Sequence, residues 1–504
     1  MSDDYSATRD EEEKGSVVAS TQGPASDVGE PEFLFKTSNP FFVRDLEYSR
    51  EEEARVIRIL DSRLFPWVLL TTIYDDLSDP TMLRFVLNMD RTNLSNAVSD
   101  GLPADLGFTI NVVNTGTAIY SVLFSLACLT GSVIAKKIGP ARFIAITEGG
   151  VIPATLVYLG TFYKSTELAT RLAFFWGIQS ISSAVSGLMA AGLLQLAGRG
   201  GLEGWKWLFL VDGIITIAVA LATWFYLPRS LDRTKGGLRG FKSWFTEREI
   251  QIANTRVIRD DPAKRNYEKT VTWADVKATV TDLGVWGHLI ITAVGLTPTS
   301  PLQTYLPTVI KSFKFNVYVS NALTAPPYIL GCATSVLMIW HSDRVRERGF
   351  HGSLGATWQL VGWILLRSLP STTHRGVRYF AALLTASWPS THPLNIAWMT
   401  ENTGTVGTRT VASGLIIGAA NIYGVWGSQI YQAHDSPYFK TGNTINIVFA
   451  GVAVCLWLLQ KSYYKYLNAR HKSQWEALTD REKRQVEEDR DKQGNKSVSF
   501  TFTT

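Results

Sequence analysis

The chain is predicted to be an all-α polytopic membrane protein built as two helical bundles. Of its 504 residues 46% are hydrophobic and only 18% charged, and the apolar residues are gathered into long blocks instead of alternating. A hydrophilic segment, residues 228–282, divides those blocks into two groups, as in a two-bundle carrier. Short basic turns recur in each half: Lys136, Lys137 and Arg142 follow one block, and Arg344, Arg346 and Arg348 follow another just over two hundred residues later.

Taken in order, residues 1–62 form a cytoplasmic N-terminal tail. Its first 40 residues, with Asp10, Glu11, Glu12 and Glu13 ahead of a run of Ser, Gly and Pro, lack the apolar content to fold. From Leu46 to Asp61 apolar residues return at helical spacing (Ala54, Ile57, Leu60), which predicts an amphipathic helix, either solvated or lying on the membrane. A crossing helix needs about 20 mostly apolar residues. About eleven stretches qualify: 64–89 (interrupted), 113–135, 143–163, 170–197 and 206–227 in an N-terminal bundle spanning 63–227, then 284–310, 320–340, 353–370, 376–399, 410–433 and 443–466 in a C-terminal bundle spanning 283–467. Residues 468–504 are a second hydrophilic tail. Positive loops stay in the cytoplasm, so the basic turns, the central segment and both termini are expected there. The first 30 residues are acidic and polar, so no cleavable leader is expected.

The hydrophilic segments dilute the mean hydropathy to +0.05. A net charge of +5 without a basic, aromatic-interleaved stripe argues against nucleic acid. Cys128, Cys332 and Cys455 are scattered singly through apolar runs, so neither a metal site nor a disulfide framework is implied. There is no Walker A motif, no GxSxG, no HExxH and no GxGxxG in a strand-turn-helix setting, so neither an enzyme nor a cofactor is expected.

Charged and polar residues inside apolar blocks are the candidate functional groups, since they are costly in lipid unless they pair or touch water. Asp90-Arg91-Thr92-Asn93 closes the apolar run Phe85–Met89 and is read as standing at the mouth of the first span. Gln303 lies beside Pro298 and Pro301, and His392 and Asn395 lie beside Pro389 and Pro393, where broken helical hydrogen bonding exposes backbone that can line a cavity. Asn421 lies on the next span. His288 and Arg367 are read as structural, the latter reaching to the interface.

Gly131-Ser-Val-Ile-Ala-Lys136-Lys137-Ile-Gly139-Pro140 and His341-Ser-Asp343-Arg344-Val-Arg346-Glu-Arg348 resemble the two copies of the loop signature of the major facilitator superfamily. The Asp90–Asn93 cluster, Glu148-Gly149-Gly150 and Gly204-Trp205-Lys206-Trp207-Leu208-Phe209 resemble its anion:cation symporter branch, and within it fungal allantoate permease-like carriers. The resemblance implies a major facilitator fold of nominally 12 spans. It also implies a monomer in the plasma membrane that moves a small organic anion together with a proton. Arg91 would attract the anion, with Asn93, Gln303, His392, Asn395 and Asn421 completing the substrate site. Asp90 and Glu148 would carry the coupled proton, because excluding water from an acid raises its pKa. Lys136, Lys137, Gly139, Asp343, Arg344 and Arg348 would form the gating loops, Asp343 working with Arg344. Within the same fold the alternative is an efflux carrier for a secondary metabolite, and from another class a non-transporting membrane sensor.

Two departures from that pattern stand out. Asp75, Asp76, Asp79, Pro80 and Arg84 interrupt the first span, each central charge costing about 2.5 to 3.5 kcal/mol on insertion scales, which marks 73–84 as an insert. The basic turns at 136–142 and 164–171 are separated by a single candidate span, 143–163, which would put one of them on the wrong side. Ala141 and Ala145 stand where the pattern has arginine and glycine ahead of Glu148. About 30 residues, one crossing and its connection, are therefore expected to be missing near 143–147.

Overall fold

In the computed structural model the described residues are 41–43, 45–65, 67, 83–138, 144, 155, 158–260, 272–404, 406–488 and 494–504. The insert at 73–82 and the turn at 139–143 with Glu148 lie outside them. Helices dominate: α1 (Arg50–Arg63), α2 (Leu83–Asp100), α3 (Ile110–Ile138), α4 (Ser165–Leu193), α5 (Gly204–Tyr226), α6 (Glu247–Asp260), α7 (Trp273–Val280), α8 (Leu283–Leu296), α9 (Ser300–Lys311), α10 (Ala325–Val345), α11 (Gly349–Ser368), α12 (Arg375–Ala386), α13 (His392–Asn402), α14 (Val406–Ile422) and α15 (Lys440–Glu476).

Apart from 64–89 and 143–163, which lie largely outside the described residues, the predicted spans fall on these helices with two kinds of change. Proline breaks divide two of them: α8 and α9 are joined through a 3-10 turn at Thr297–Thr299, and α12 and α13 are separated by residues 387–391. The last helix runs on to Glu476, past the predicted end of its span. Apolar side chains wrap the outside, for example Ile214, Ile217, Leu221 and Phe225 on α5, while Leu208, Asp212, Val219 and Thr223 bury the opposite stripe. Glycines let helices approach closely along α11. A Cβ at Gly352 would meet the Trp457 ring of α15, and one at Gly362 would meet Thr385 of α12.

α1 is not free in solvent but packed against the rest of the protein. Ser49 and Glu52 form a reciprocal cap at its start, with Glu52 N donating to Ser49 Oγ at 3.2 Å and Ser49 N to Glu52 Oε2 at 2.9 Å. Val56 and Leu60 are fully buried, and α1 packs on α6 of the central segment. Arg248 joins the pair to Glu52 (2.7 Å) and Arg55 to Glu249 (3.1 Å). The same end receives the start of α4: Arg256, fully buried, donates to Glu167 at 2.6 Å and to the Phe162 carbonyl at 2.9 Å, while Arg171 pairs with Asp61. The apolar stripe of α1 joins a cluster with Tyr158, Phe162, Tyr226 and Ile252, and its charged faces stay outside.

The two halves meet helix against helix: α2 with α9, α3 with α14, and α4 with α10. Each described hydrogen bond between the halves lies at the end remote from α1 and α6, here the distal end. Lys311 Nζ donates to the Ser99 carbonyl (2.7 Å), Asn321 Nδ2 to Ser99 Oγ (3.0 Å), Tyr305 OH to Asn114 Oδ1 (2.5 Å) and Asn114 Nδ2 to the Tyr431 carbonyl (2.6 Å).

That arrangement makes the predicted topological defect concrete. α3 begins at the distal end, and its 29 residues carry Ile138 about 43 Å away, to the end where α4 begins beside α6. Residues 139–164 therefore start and finish at the same end, and two crossings of about 20 residues each do not fit into that length.

Candidate functional site

α2 runs unbroken from Leu83 to Asp100, so the Asp90–Asn93 cluster sits in the middle of a helix and not, as expected from sequence, at the close of one. Several of its polar residues bond to neighbouring helices, although Ser95 Oγ and Asn96 Oδ1 are buried without a hydrogen-bond partner among the described residues. Asn93 and Asn96 are fully buried against α4 and α5. Asn93 Nδ2 donates to Asp212 Oδ2, Ser186 Oγ donates to Asn93 Oδ1 at 3.0 Å, and Asn96 Nδ2 donates to Ser186 Oγ at 3.2 Å. One turn earlier, Thr92 Oγ1 donates to Ser183 Oγ at 3.3 Å.

Asp212 is the acid in this cluster, and the sequence reading overlooked it. It is 1% exposed, lies eight residues into α5, makes no ion pair among the described residues, and its Oδ1 has no hydrogen-bond partner there. An isolated acid inside an apolar run was itself the signal.

Asp90, Arg91, Lys136 and Lys137 have described helical backbone, while their side chains, like Gly139 and Glu148 altogether, lie outside the described residues. Leu94 and Val98 of α2 share an apolar cluster with Leu302, Tyr305 and Leu306 of α9 in the other half, while Asn93 faces Asp212 inside the first half.

The proline-broken helices of the second half hold the remaining candidates. Gln303 is exposed on α9 and its Oε1 accepts from Tyr423 OH at 3.3 Å; Asn421 Nδ2 donates to the Ile417 carbonyl of its own helix at 2.8 Å. Asn395, 1% exposed, joins three groups of α8: Oδ1 meets His288 Nδ1 at 2.7 Å, and Nδ2 donates to the His288 carbonyl and to Thr292 Oγ1, both at 2.9 Å. His288 also meets Tyr464 OH at 2.9 Å, so the side chain read as structural is an interhelical junction. His392 lines a small cavity with Thr292, Asn395 and Trp457.

At the basic end, the α10–α11 loop forms a network different from the expected one. Arg344 does not pair with Asp343; it lies over the Trp340 ring at 5.6 Å. Asp343 is instead held by Arg348, whose side chain is 9% exposed and whose Nη2 also donates to Glu401 Oε1 of α13 at 2.5 Å. Proximity in sequence lost to geometry, because the chain reverses at Arg346 in the left-handed region (φ 53°) and brings Arg348 back over the helix end. Beside it Glu347 accepts from Lys461 and from His351 Nδ1 at 2.7 Å, and His351 Nε2 meets His341 Nδ1 at 2.8 Å. Burial would raise the Glu347 carboxyl, but the Lys461 ammonium and the donors of Phe350 and His351 outweigh it and hold it below the ordinary carboxylate value. The C-terminal segment straps this end: Thr503 exchanges hydrogen bonds with Asn402 (2.8 and 3.0 Å), and the Phe502 ring stacks on Tyr464 at 5.1 Å.

Two helical halves with apolar outer surfaces define a multi-pass membrane protein, with a polar cluster buried inside the first half. The sequence pattern of the Major Facilitator Superfamily matches residues 143–428, and the chain belongs to that family of small-molecule carriers. It is 27% identical over 497 residues to an uncharacterized transporter of Saccharomyces cerevisiae, covering 92% of this chain and 89% of that one. It is 28% identical over 472 residues to the MFS-type transporter cnsO of Penicillium expansum, covering 86% of each. Among solved structures, the inward-open xylose transporter XylE of E. coli shares the fold with a TM-score of 0.53 at 12% identity, covering 79% of this chain and 95% of that one.

Proposed function

We propose that this transporter is a proton-coupled symporter of a small organic anion, of the anion:cation symporter branch and allantoate permease-like, working by alternating access as a monomer in the plasma membrane with both termini cytoplasmic. The bundle limits proposed are 63–227 and 283–467, joined by a cytoplasmic central segment. The observation that carries the reading is the buried Asp212 carboxyl, hydrogen-bonded to Asn93 on the helix that also bears Asp90 and Arg91. An acid closed off from water inside a lipid-crossing helix is costly unless it can shed its charge, and taking up a proton does that. Arg91, on a helix that packs against α9 of the other half, would draw the anion into the seam between the halves, with Asp90 and Glu148 as further proton carriers. Gln303, His392, Asn395 and Asn421 would line or frame the second half of the substrate path. Lys136, Lys137, Gly139, Asp343, Arg344 and Arg348 would act in the gating loops. Hydrogen bonds between the halves confined to the distal end suit a state closed outside and open toward the cytoplasm.

The test is uptake of a panel of labelled carboxylates in a transport-deficient host at two external pH values, with Asp212→Asn as the isosteric neutral variant. Uptake that follows an imposed proton gradient in the wild type and loses that dependence in Asp212→Asn is expected. Uptake indifferent to the gradient, or unchanged by neutralising Arg91, would overturn the reading.

A further inference from the structure

At the distal end of the second half, Phe313, Arg367, Arg378, Tyr438, Lys440 and Asn443 line a small open cleft of about 30 Å³. Arg367, Arg378 and Lys440 give it three cations, and no carboxylate belongs to its described lining. Arg378, in the first turn of α12, is 7% exposed. Its guanidinium carbon lies over the Phe313 ring at 4.4 Å and over the Tyr438 ring at 5.1 Å. Aromatic faces stabilise a cation but accept nothing from its N–H edge. Among the described residues that edge makes neither a hydrogen bond nor an ion pair. Arg367 is held in place by donating Nε–H to Thr444 Oγ1 at 3.0 Å.

We infer that this cleft is a carboxylate-binding site, separate from the Asn93–Asp212 cluster, with the Arg378 guanidinium as its fork. A planar guanidinium held beside two aromatic rings keeps its parallel N–H donors free for a carboxylate, which matches them bidentately. Arg367 and Lys440 add field at the mouth. Asn443 links the cleft to the seam: its Oδ1 accepts from Tyr431 OH at 2.5 Å, and the Tyr431 carbonyl accepts from Asn114 of the first half. The site would receive the transported anion at the outer surface; that source of the ligand rests on the proposed function, whereas the site itself does not.

The test is thermal unfolding of the purified full-length protein titrated with sodium acetate and, separately, with sodium chloride, comparing the wild type with Arg378→Gln and Arg378→Lys. A saturable rise in Tm with acetate in the wild type, absent in Arg378→Gln and shifted to about tenfold higher concentration or more in Arg378→Lys, is expected from losing a charge-assisted fork. Identical responses of wild type and Arg378→Gln to both salts would overturn the site. A saturable difference with chloride alone would overturn the carboxylate assignment. Should Arg378→Gln not fold, Arg367→Gln with Lys440→Gln, which leaves the buried group intact, should still weaken the acetate response severalfold; an unchanged response would count against the site. Acetate-dependent stabilisation without gradient-driven uptake would remove the transport reading and leave the cleft standing.

Discussion

Asn395 offers the sharpest separation between a ligand-binding and a load-sharing side chain. Its three hydrogen bonds to α8 reach His288, fully buried, and Thr292, 3% exposed. Replacing Asn395 by alanine removes all three. Interhelical polar contacts in membranes average about 0.6 kcal/mol and reach about 1.7, so three account for roughly 2 kcal/mol. Stranding a buried donor or acceptor adds about 1 kcal/mol or more. The expected loss for Asn395→Ala is therefore about 2 to 4 kcal/mol, and for Thr292→Val, which deletes one contact, about 0.6 kcal/mol. Denaturant unfolding in detergent, read by tryptophan fluorescence, measures both, because Trp398 packs edge-on against His288 at 5.1 Å. A double-mutant cycle should show the two changes coupled. A loss below about 0.5 kcal/mol accompanied by a raised KM would mean that the amide serves substrate instead of helix packing, and the reasoning would be refuted.

Other outcomes follow from the same geometry. Because Glu347 has a folded pKa below its unfolded one, its contribution to stability is complete above about pH 4.5 and is lost as pH falls through the depressed folded value; Lys461→Met should weaken that acid dependence in a pH series of melting curves. Gly352→Ala drives a methyl into the Trp457 ring and should cost about 1 to 3 kcal/mol, whereas Ala at Gly451, with open space around its Cβ, should be nearly neutral. The transcript is expected to encode about 30 further residues near 143–147, since one added crossing lets α3 end and α4 begin where they do. A message encoding the chain as written would refute that.

How much of this was legible in the residues depends on the length scale of the signal. Apolar blocks of span length and a repeated basic turn are local, and they yielded the helical architecture and the family. Even the defect between α3 and α4 was readable, as a parity violation in the positive turns. Asp212 was readable too, as a lone acid in an apolar helix, but it drew no attention because its partner lies 119 residues away. The partner of Asp343 was not legible locally, because a left-handed residue at 346 brings Arg348 back over the helix end.

The sequence alone determined that the chain crosses lipid repeatedly in two groups of helices, because transferring apolar length out of water requires no knowledge of neighbours. Only the tertiary structure decided which polar groups meet, since that depends on which helix faces are turned inward. It set Asn93 against Asp212, made Asn395 a brace for His288, and gathered Arg378, Arg367 and Lys440 around one cleft. A buried hydrogen bond or an unpaired charge is fixed by distances of a few ångströms between residues hundreds apart in the chain, and nothing in the local pattern encodes them.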